Sequence, residues 1–321
     1  MPDDNKHKLL TRARSKLIEA SVLIFGEQAA KKDASFIARE LVQVSLPHSN
    51  PGNVPRWTRK NGNLILSIQP GYKTDPKSGE DVLIGYPYGS IPRLILFWIT
   101  TEALRNRHKE NPRRLDLGSN LKDFMLELGL NPDNGGTGAK RSDAKRLRDQ
   151  MERLFRCRIG FEVLVERDGR KGEAGRDMLV TEDRMLWWDE RNPQQIILWG
   201  NWIELGQKFY EAITATPVPI DIRALRALKR SPLALDLYSW LTYEAFRAHK
   251  SGKPRYETWA QLHAHIGSEY GRLDNFRSKA KAALRKIQIV YPGLKLGRKQ
   301  GGIEILRESL TALQPRQTII A

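Results

Sequence analysis

Three shortages in this sequence narrow its options before any motif is read. It holds one cysteine, Cys157, which excludes an internal disulfide framework and any zinc site built from several thiolates. Cys157 lies among Phe155, Arg156, Arg158 and Ile159, at the expected junction of a helix and a strand, and reads as a small core residue. No apolar run approaches the ~18–20 residues of a membrane span. The longest, Leu94 to Ile99, stops short of Glu102 and Arg105. The opening Met1-Pro2-Asp3-Asp4 lacks the basic-then-apolar order of a signal peptide, so a cytoplasmic address is expected. Acid is also short. Against 54 Lys and Arg stand 37 Asp and Glu, a formal charge of +17. That excess asks for a polyanionic partner, either nucleic acid or an anionic membrane surface. Its distribution decides between them.

What is present suits a globular chain. With 321 residues, 40% of them hydrophobic and 28% charged, two domains are the natural expectation. Residues 1–26 read as a basic amphipathic helix with Leu9, Ala13, Leu17, Ala20 and Ile24 near helical spacing, ended by Gly26. Residues Asp33 to Leu46 form a second ordered segment, closed by Pro47, Asn50, Pro51 and Gly52. Asn63 to Gln69 and Asp81 to Tyr86 alternate around a turn-rich stretch and predict a hairpin. From Ser90 the pattern turns helical. A strand at Leu115 to Leu117 follows, and Ser119 is the expected cap of a helix carrying Leu121, Phe124, Met125 and Leu128. A glycine-rich loop, Asn131 to Gly138, leads to a third helix starting near Ser142, striped by Leu147, Met151, Leu154 and Phe155. The chain then alternates from Ile159 to Val165, turns through a charged tip at Arg167 to Arg176, and returns through Met178 to Val180. A strand at Gln195 to Trp199 and a helix around Trp202 to Ala212 complete the unit. Helix, strand, helix, helix, hairpin is the order of a winged helix.

After a stiff linker, Thr214 to Pro219, the order recurs. Trp98-Ile-Thr-Thr-Glu102-Ala103-Leu-Arg105 matches Trp240-Leu-Thr-Tyr-Glu244-Ala245-Phe-Arg247. Leu121, Phe124, Leu128 and Gly129 match Trp259, Leu262, Ile266 and Gly267. Leu147, Met151, Leu154 and Phe155 match Phe276, Ala280, Ala283 and Leu284. Ile289 to Leu296 and Ile303 to Leu306 are expected as strands around a tip at Gly297 to Gly302. The fold class expected is α+β: tandem winged-helix domains, two helix-turn-helix plus wing modules, with an N-terminal helical segment and a β-hairpin. The expected divisions are 1–56, a basic N-terminal helical segment; 57–213, the hairpin with the first winged helix; 214–309, the second; and 310–321, a tail.

The basic excess falls on the third helix and wing of each copy. With the apolar stripe buried, Lys145, Arg146, Arg153 and Arg156 lie on the opposite side of the first copy's helix, flanked by Arg141 and Arg148. In the second copy Lys281 and Arg285 point outward, flanked by Arg277, Lys279 and Lys286. The expected wing tips carry Arg167, Arg170 and Lys171 in one copy and Arg298 and Lys299 in the other. A major-groove helix with a phosphate-contacting wing needs this layout. Solvation of a helix face explains any one of these residues alone, and the coincidence in both copies favours DNA.

Three other readings are weaker. His263-Ala-His265 has the form of a rolling-circle nickase metal site, but on a helix its imidazoles diverge by roughly 200°. Gly135 to Lys140 lacks the Gly-Lys-Ser/Thr ending and preceding strand of a phosphate loop. The tryptophans at 57, 98, 187, 188, 199, 202, 240 and 259 sit in apolar runs and read as core rather than base-stacking platforms. No catalytic residue, metal or cofactor is expected.

Five segments carry a family resemblance. They are Leu41-Val-Gln-Val-Ser-Leu-Pro-His48, Trp57-Thr-Arg-Lys-Asn-Gly-Asn63, Ile68-Gln-Pro-Gly-Tyr72, Pro87-Tyr-Gly-Ser-Ile-Pro-Arg93 with Trp98 to Glu102, and Leu228-Lys-Arg-Ser-Pro-Leu233 with Leu237 to Leu241. In these the chain resembles the plasmid-encoded RepA-type replication initiators across roughly residues 35–310. The resemblance implies binding of repeated sites in double-stranded plasmid origin DNA and opening of a nearby A·T-rich region. It also implies recruitment of the host replication initiator and helicase, and a homodimer that represses its own gene. The rivals in function are a plasmid-borne repressor without a replicative role and, less favoured, a nickase.

Overall fold

Apolar residues at helical and strand spacing set the order of elements in the computed structural model. It describes residues 2–27, 29–132, 143–167, 170–187, 200–267 and 269–313. In chain order, α1 is Pro2–Gly26, β1 Ala34–Ala38, α2 Arg39–Gln43, β2 Trp57–Asn61, β3 Leu64–Gln69, β4 Tyr72–Thr74 and β5 Asp81–Leu83. Next come α3 Ser90–Arg105, β6 Arg114–Gly118, α4 Leu121–Glu127 and α5 Asp143–Arg156. They are followed by β7 Arg158–Arg167, β8 Arg170–Leu179, β9 Thr181–Met185, β10 Asn201–Leu205 and α6 Gln207–Ala215. The remainder is β11 Pro217–Asp221, α7 Ile222–Leu228, α8 Pro232–Ser251, β12 Arg255–Thr258, α9 Trp259–Ile266, α10 Leu273–Val290 and β13 Gly302–Ile305. Helices combine with antiparallel strand pairs, an α+β architecture. The chain gathers into two units, residues 37–217 and residues 218–321 together with 1–36.

In the unit of residues 37–217, α3 is buried along most of its length, from Ile91 to Thr101 and again at Ala103. Helix α5 packs on it and on α4, and buries Leu147, Met151, Leu154 and Phe155 as the stripe requires. Asn120, not Ser119, caps α4: its side chain accepts from the Asp123 N–H at 2.8 Å. Strands β6, β10 and β9 form one sheet in that order, and β2, β3, β7 and β8 another.

Four expectations need correction here. Strand β3 pairs not with 81–86 but with β2 and β7, while β5 pairs with β4. Strand β2 escaped notice because its buried residue is an arginine, Arg59, so it shows no apolar alternation. The hairpin after α5 has ten-residue strands, with Arg167 opposite Arg170, so residues 167–176 are mostly strand rather than a loop. Nearly all of β8 is exposed, so its length carries no apolar alternation to read. That hairpin joins β3, whereas the strands that extend the sheet of β6 are β9 and β10. Trp202 lies in β10, and α6 starts only at Gln207. The expected strand at Gln195 to Trp199 falls outside the described residues.

The other unit repeats the order. Ser231 caps α8, accepting from Ala234 N–H at 3.2 Å with Pro232 in the first turn. Thr258 and Gln261 form a reciprocal capping box on α9. Strand β12 pairs antiparallel with β13, and Leu296 bridges Ile305 on its far side. The strand expected from Ile289 is therefore a helix end. Ile287 and Val290 continue the buried stripe of α10, and their β-branched neighbours misled the reading. Gly267 ends α9 where a Cβ would stand 2.2 Å from the Phe276 ring, so only glycine lets α10 close on α9. The stiff linker expected at 214–219 is the end of α6 followed by β11, which pairs with β1. Helix α1 packs on α7 and α10. Arg223 donates to the carbonyls of Leu23 at 3.2 Å and Glu27 at 3.1 Å, satisfying acceptors that every helix end leaves open.

Candidate nucleic-acid interface

Both units present the same arrangement: a long buried helix (α3 or α8), a short strand (β6 or β12), two further helices, and a later strand pairing back on the short one. The exposed face of the last helix is where the basic residues gather, but the two copies differ.

In α10, Arg277, Lys279, Lys281, Arg285 and Lys286 are exposed, and none forms an ion pair among the described residues. Positions 277, 281 and 285 fall on one line along the helix. The helix holds a single acid, Asp274, and it is already engaged by Arg272 at 2.7 Å. Arg298 and Lys299 sit in the turn before β13. There Lys299 stacks over the Tyr256 ring at 4.2 Å, and the Tyr256 hydroxyl donates to the Gln300 carbonyl at 2.8 Å. This face is cationic with no internal compensation.

In α5 the charges are partly spoken for. Lys145, Arg146 and Arg148 are exposed, and Arg146 pairs with Asp143 at 3.1 Å. Arg153 turns the other way, donating to the Tyr86 carbonyl at 3.2 Å and stacking over Tyr88 at 5.3 Å. Gln150 accepts from the Tyr88 N–H at 2.9 Å. Arg156 lies against the Gly71 backbone and 3.9 Å from Glu152, which also takes Lys73 at 3.3 Å. Residues 71–88 thus strap the C-terminal half of α5, leaving its first turns to solvent. Arg170 and Lys171 stand on exposed β8, where Lys171 faces Glu166 across the ribbon. Arg141 and the Gly135–Lys140 segment fall outside the described residues.

The other motifs resolve into packing. His263 turns to Phe276, ring centres 5.3 Å apart, while buried His265 meets Glu257 at 2.6 Å. The two imidazoles share no site. Trp98, Trp240 and Trp259 are buried, Trp187 is half exposed, and Trp188 and Trp199 fall outside the described residues. Burial pushes the Cys157 thiol well up from its ordinary value, which leaves it without thiolate character.

Two arginines that charge reasoning missed explain what the dispersed motifs do. Arg93 is buried and donates to the carbonyls of Leu46 at 2.7 Å, Pro47 at 3.0 Å and Gly89 at 2.6 Å. Arg59, also buried, donates to the carbonyls of Ser45 and Leu46, each at 3.0 Å. Tyr86 donates to the Val54 carbonyl at 2.7 Å, and Asn61 to that of Gln43 at 2.9 Å. The segments around residues 41–48, 57–63 and 86–93 are one knot, with guanidinium groups serving carbonyls that no ladder reaches. An Arg that follows an apolar helix start, as Arg93 follows Ile91 and Pro92, is the signal in hindsight.

The family described as plasmid encoded RepA protein matches residues 86–261, more than half of the 321 residues. The chain belongs to that family. The match opens at Tyr86, in the knot, and closes within α9, so it covers the α3–α5 arrangement and the start of its second copy. No curated protein matches the chain. Among solved structures, a crystal structure of domains 2–3 of RctB covers 83% of this chain and 94% of its own, at 10% identity and a TM-score of 0.40. A likeness at that score carries no argument. Among the described residues, no helix is long and apolar enough to cross a membrane.

Proposed function

We propose that this protein initiates replication of a plasmid by binding repeated sites in origin duplex DNA through two winged-helix modules. The observation that carries the reading is the uncompensated basic face of α10, five cations with no internal partner on a helix of major-groove dimensions. In this reading α10 enters a major groove and the first turns of α5 enter another. The turn at Arg298 and Lys299 meets phosphates, and Arg170 and Lys171 on the β7–β8 ribbon meet a neighbouring backbone segment. Several protomers on adjacent repeats bend the duplex and open the A·T-rich region beside it. They recruit the host initiator and helicase, and a homodimer represses the gene. No catalytic step, metal or cofactor belongs to this account.

The test is footprinting on the plasmid's own origin, with Lys281→Ala/Arg285→Ala beside the unaltered chain. Loss of two phosphate or base contacts lowers the slope of log affinity against log salt by about two. The same variant fails to maintain the plasmid. Unchanged footprints exclude α10 as a contact. A plasmid retained despite lost binding leaves a repressor without a replicative role as the better reading.

A further inference from the structure

A groove of about 800 Å³ runs between the exposed side of α5 and β9. Leu121 and Met151 form part of its floor, Lys145 and Arg148 stand on the helix side, and Arg184 stands on the strand side. Arg184 projects from the middle of β9, opposite Ile203 of β10. Strand β9 is the outer strand of the sheet that β6 begins, as Leu296 lies beyond β13 in the other unit. The acids along the groove are largely committed. Glu152 takes Lys73, and Glu182 takes Arg113 at 2.6 Å. Asp149 and Asp183 also line it. The Arg184 guanidinium has no hydrogen bond or ion pair among the described residues. It is half-buried, and burial first, then the like charge of Arg156, holds its pKa below the ordinary arginine value, against the opposing pull of Glu152 and Asp183. A cation so placed gains from an anion brought into the groove.

We infer that the groove between α5 and β9 seats one strand of a DNA backbone, with Arg184 as a phosphate contact facing Lys145 and Arg148. This rests on the duplex-binding reading above and adds an element to it. The flank of the first module is β9, not the β7–β8 ribbon, and its contact residue is one that no basic run in the sequence marks. A phosphodiester fits because a planar guanidinium takes two phosphate oxygens at once. The contact reads no base, so it adds affinity and salt dependence equally on every sequence.

The experiment uses the full chain and two probes, a duplex from the plasmid's own origin and a mixed-sequence duplex of equal length. Arg184→Gln is expected to weaken binding to both alike. Its salt slope falls by about 0.9, so a fourfold rise in salt costs it about 3.5-fold less affinity than it costs the unaltered chain. Arg184→Lys keeps the charge and restores most of the slope, which a purely structural role of the guanidinium does not predict. The melting temperature of each variant, read in parallel, shows that the fold is retained. If Arg184→Gln keeps the slope while Lys281→Ala/Arg285→Ala loses it, the groove proposal is overturned and the duplex reading stands. If both variants bind as the unaltered chain does, both readings fall. Loss confined to the origin duplex overturns the proposal too, since it makes Arg184 a base reader.

Discussion

Replacing Arg93 by alanine separates an architectural arginine from a DNA contact in a protein where basic residues invite the second reading. The change deletes the hydrogen bonds at 2.6, 2.7 and 3.0 Å to Gly89, Leu46 and Pro47, each charge-assisted and worth about 1.5–3 kcal/mol. The full sum does not appear as lost stability. The Pro47 carbonyl keeps the Gly89 N–H at 3.1 Å, and that of Leu46 keeps Arg59 at 3.0 Å, so neither acceptor is orphaned. The folded state also no longer bears the desolvation of a guanidinium, a cost of several kcal/mol. The net loss is about 2–4 kcal/mol. At ~1.4 kcal/mol per factor of ten, amides of the neighbouring turns of α3, Leu94 to Ile99, exchange about 30- to 700-fold faster if they open with the knot. Hydrogen exchange read by mass spectrometry on peptides covering residues 41–48 and 90–99 measures this directly. Arg93→Lys falls between, because one ammonium on a flexible stem does not reach all three carbonyls at once. Acceleration below about fivefold, or lost duplex binding at unchanged exchange, refutes the reasoning.

Two further outcomes follow from the same geometry. Arg153→Ala removes the bond to the Tyr86 carbonyl and the stack on Tyr88, lowering stability by about 1–2 kcal/mol in a urea titration. Its salt slope for duplex binding stays as it was, and a fallen slope means that the strap on α5 has been misjudged. Gly267→Ala places a methyl 2.2 Å from the Phe276 ring and costs about 1–3 kcal/mol. Exchange peptides from α9 and α10 report the loss, and unaltered protection there contradicts the packing described.

The sequence made the helices legible because most bury one face. The stripes Leu121, Phe124, Met125 and Leu147, Met151, Leu154, Phe155 are buried as their spacing demands. The repeated Trp-x-Thr-x-Glu-Ala segments both fall in the long buried helices. Strand partners were less legible, for a physical reason. Strand β2 turns an arginine inward, and β8 turns only Met178 inward, so neither shows the alternation by which a strand is recognised. Partner choice is a property of tertiary packing that local pattern does not encode. For the same reason Arg153 and Arg156 read as outward-facing. The helix wheel places them opposite the apolar stripe, but residues 71–88 cover that side, and a wheel knows only its own helix.

The contrast between the two third helices bears on how charge should be weighed. Counted by sequence, α5 carries as many cations as α10, with Lys145, Arg146, Arg148, Arg153 and Arg156 against five, though it holds three acids to one. Counted by what each side chain touches, the two differ. Glu152, Asp143 and the carbonyl of Tyr86 engage Arg156, Arg146 and Arg153 on α5, while the five on α10 form no ion pair among the described residues. A cation with an internal partner must give up that partner or share it to meet a phosphate, and the exchange cancels much of the Coulombic gain. Salt dependence therefore measures uncompensated cations, not cations. On that basis the slope of the whole protein is set mainly by α10 and the turn at Arg298. Arg184 belongs near this class despite its modest exposure, because a half-buried charge with no hydrogen bond or ion pair among the described residues gains more from an arriving anion than a solvated one does.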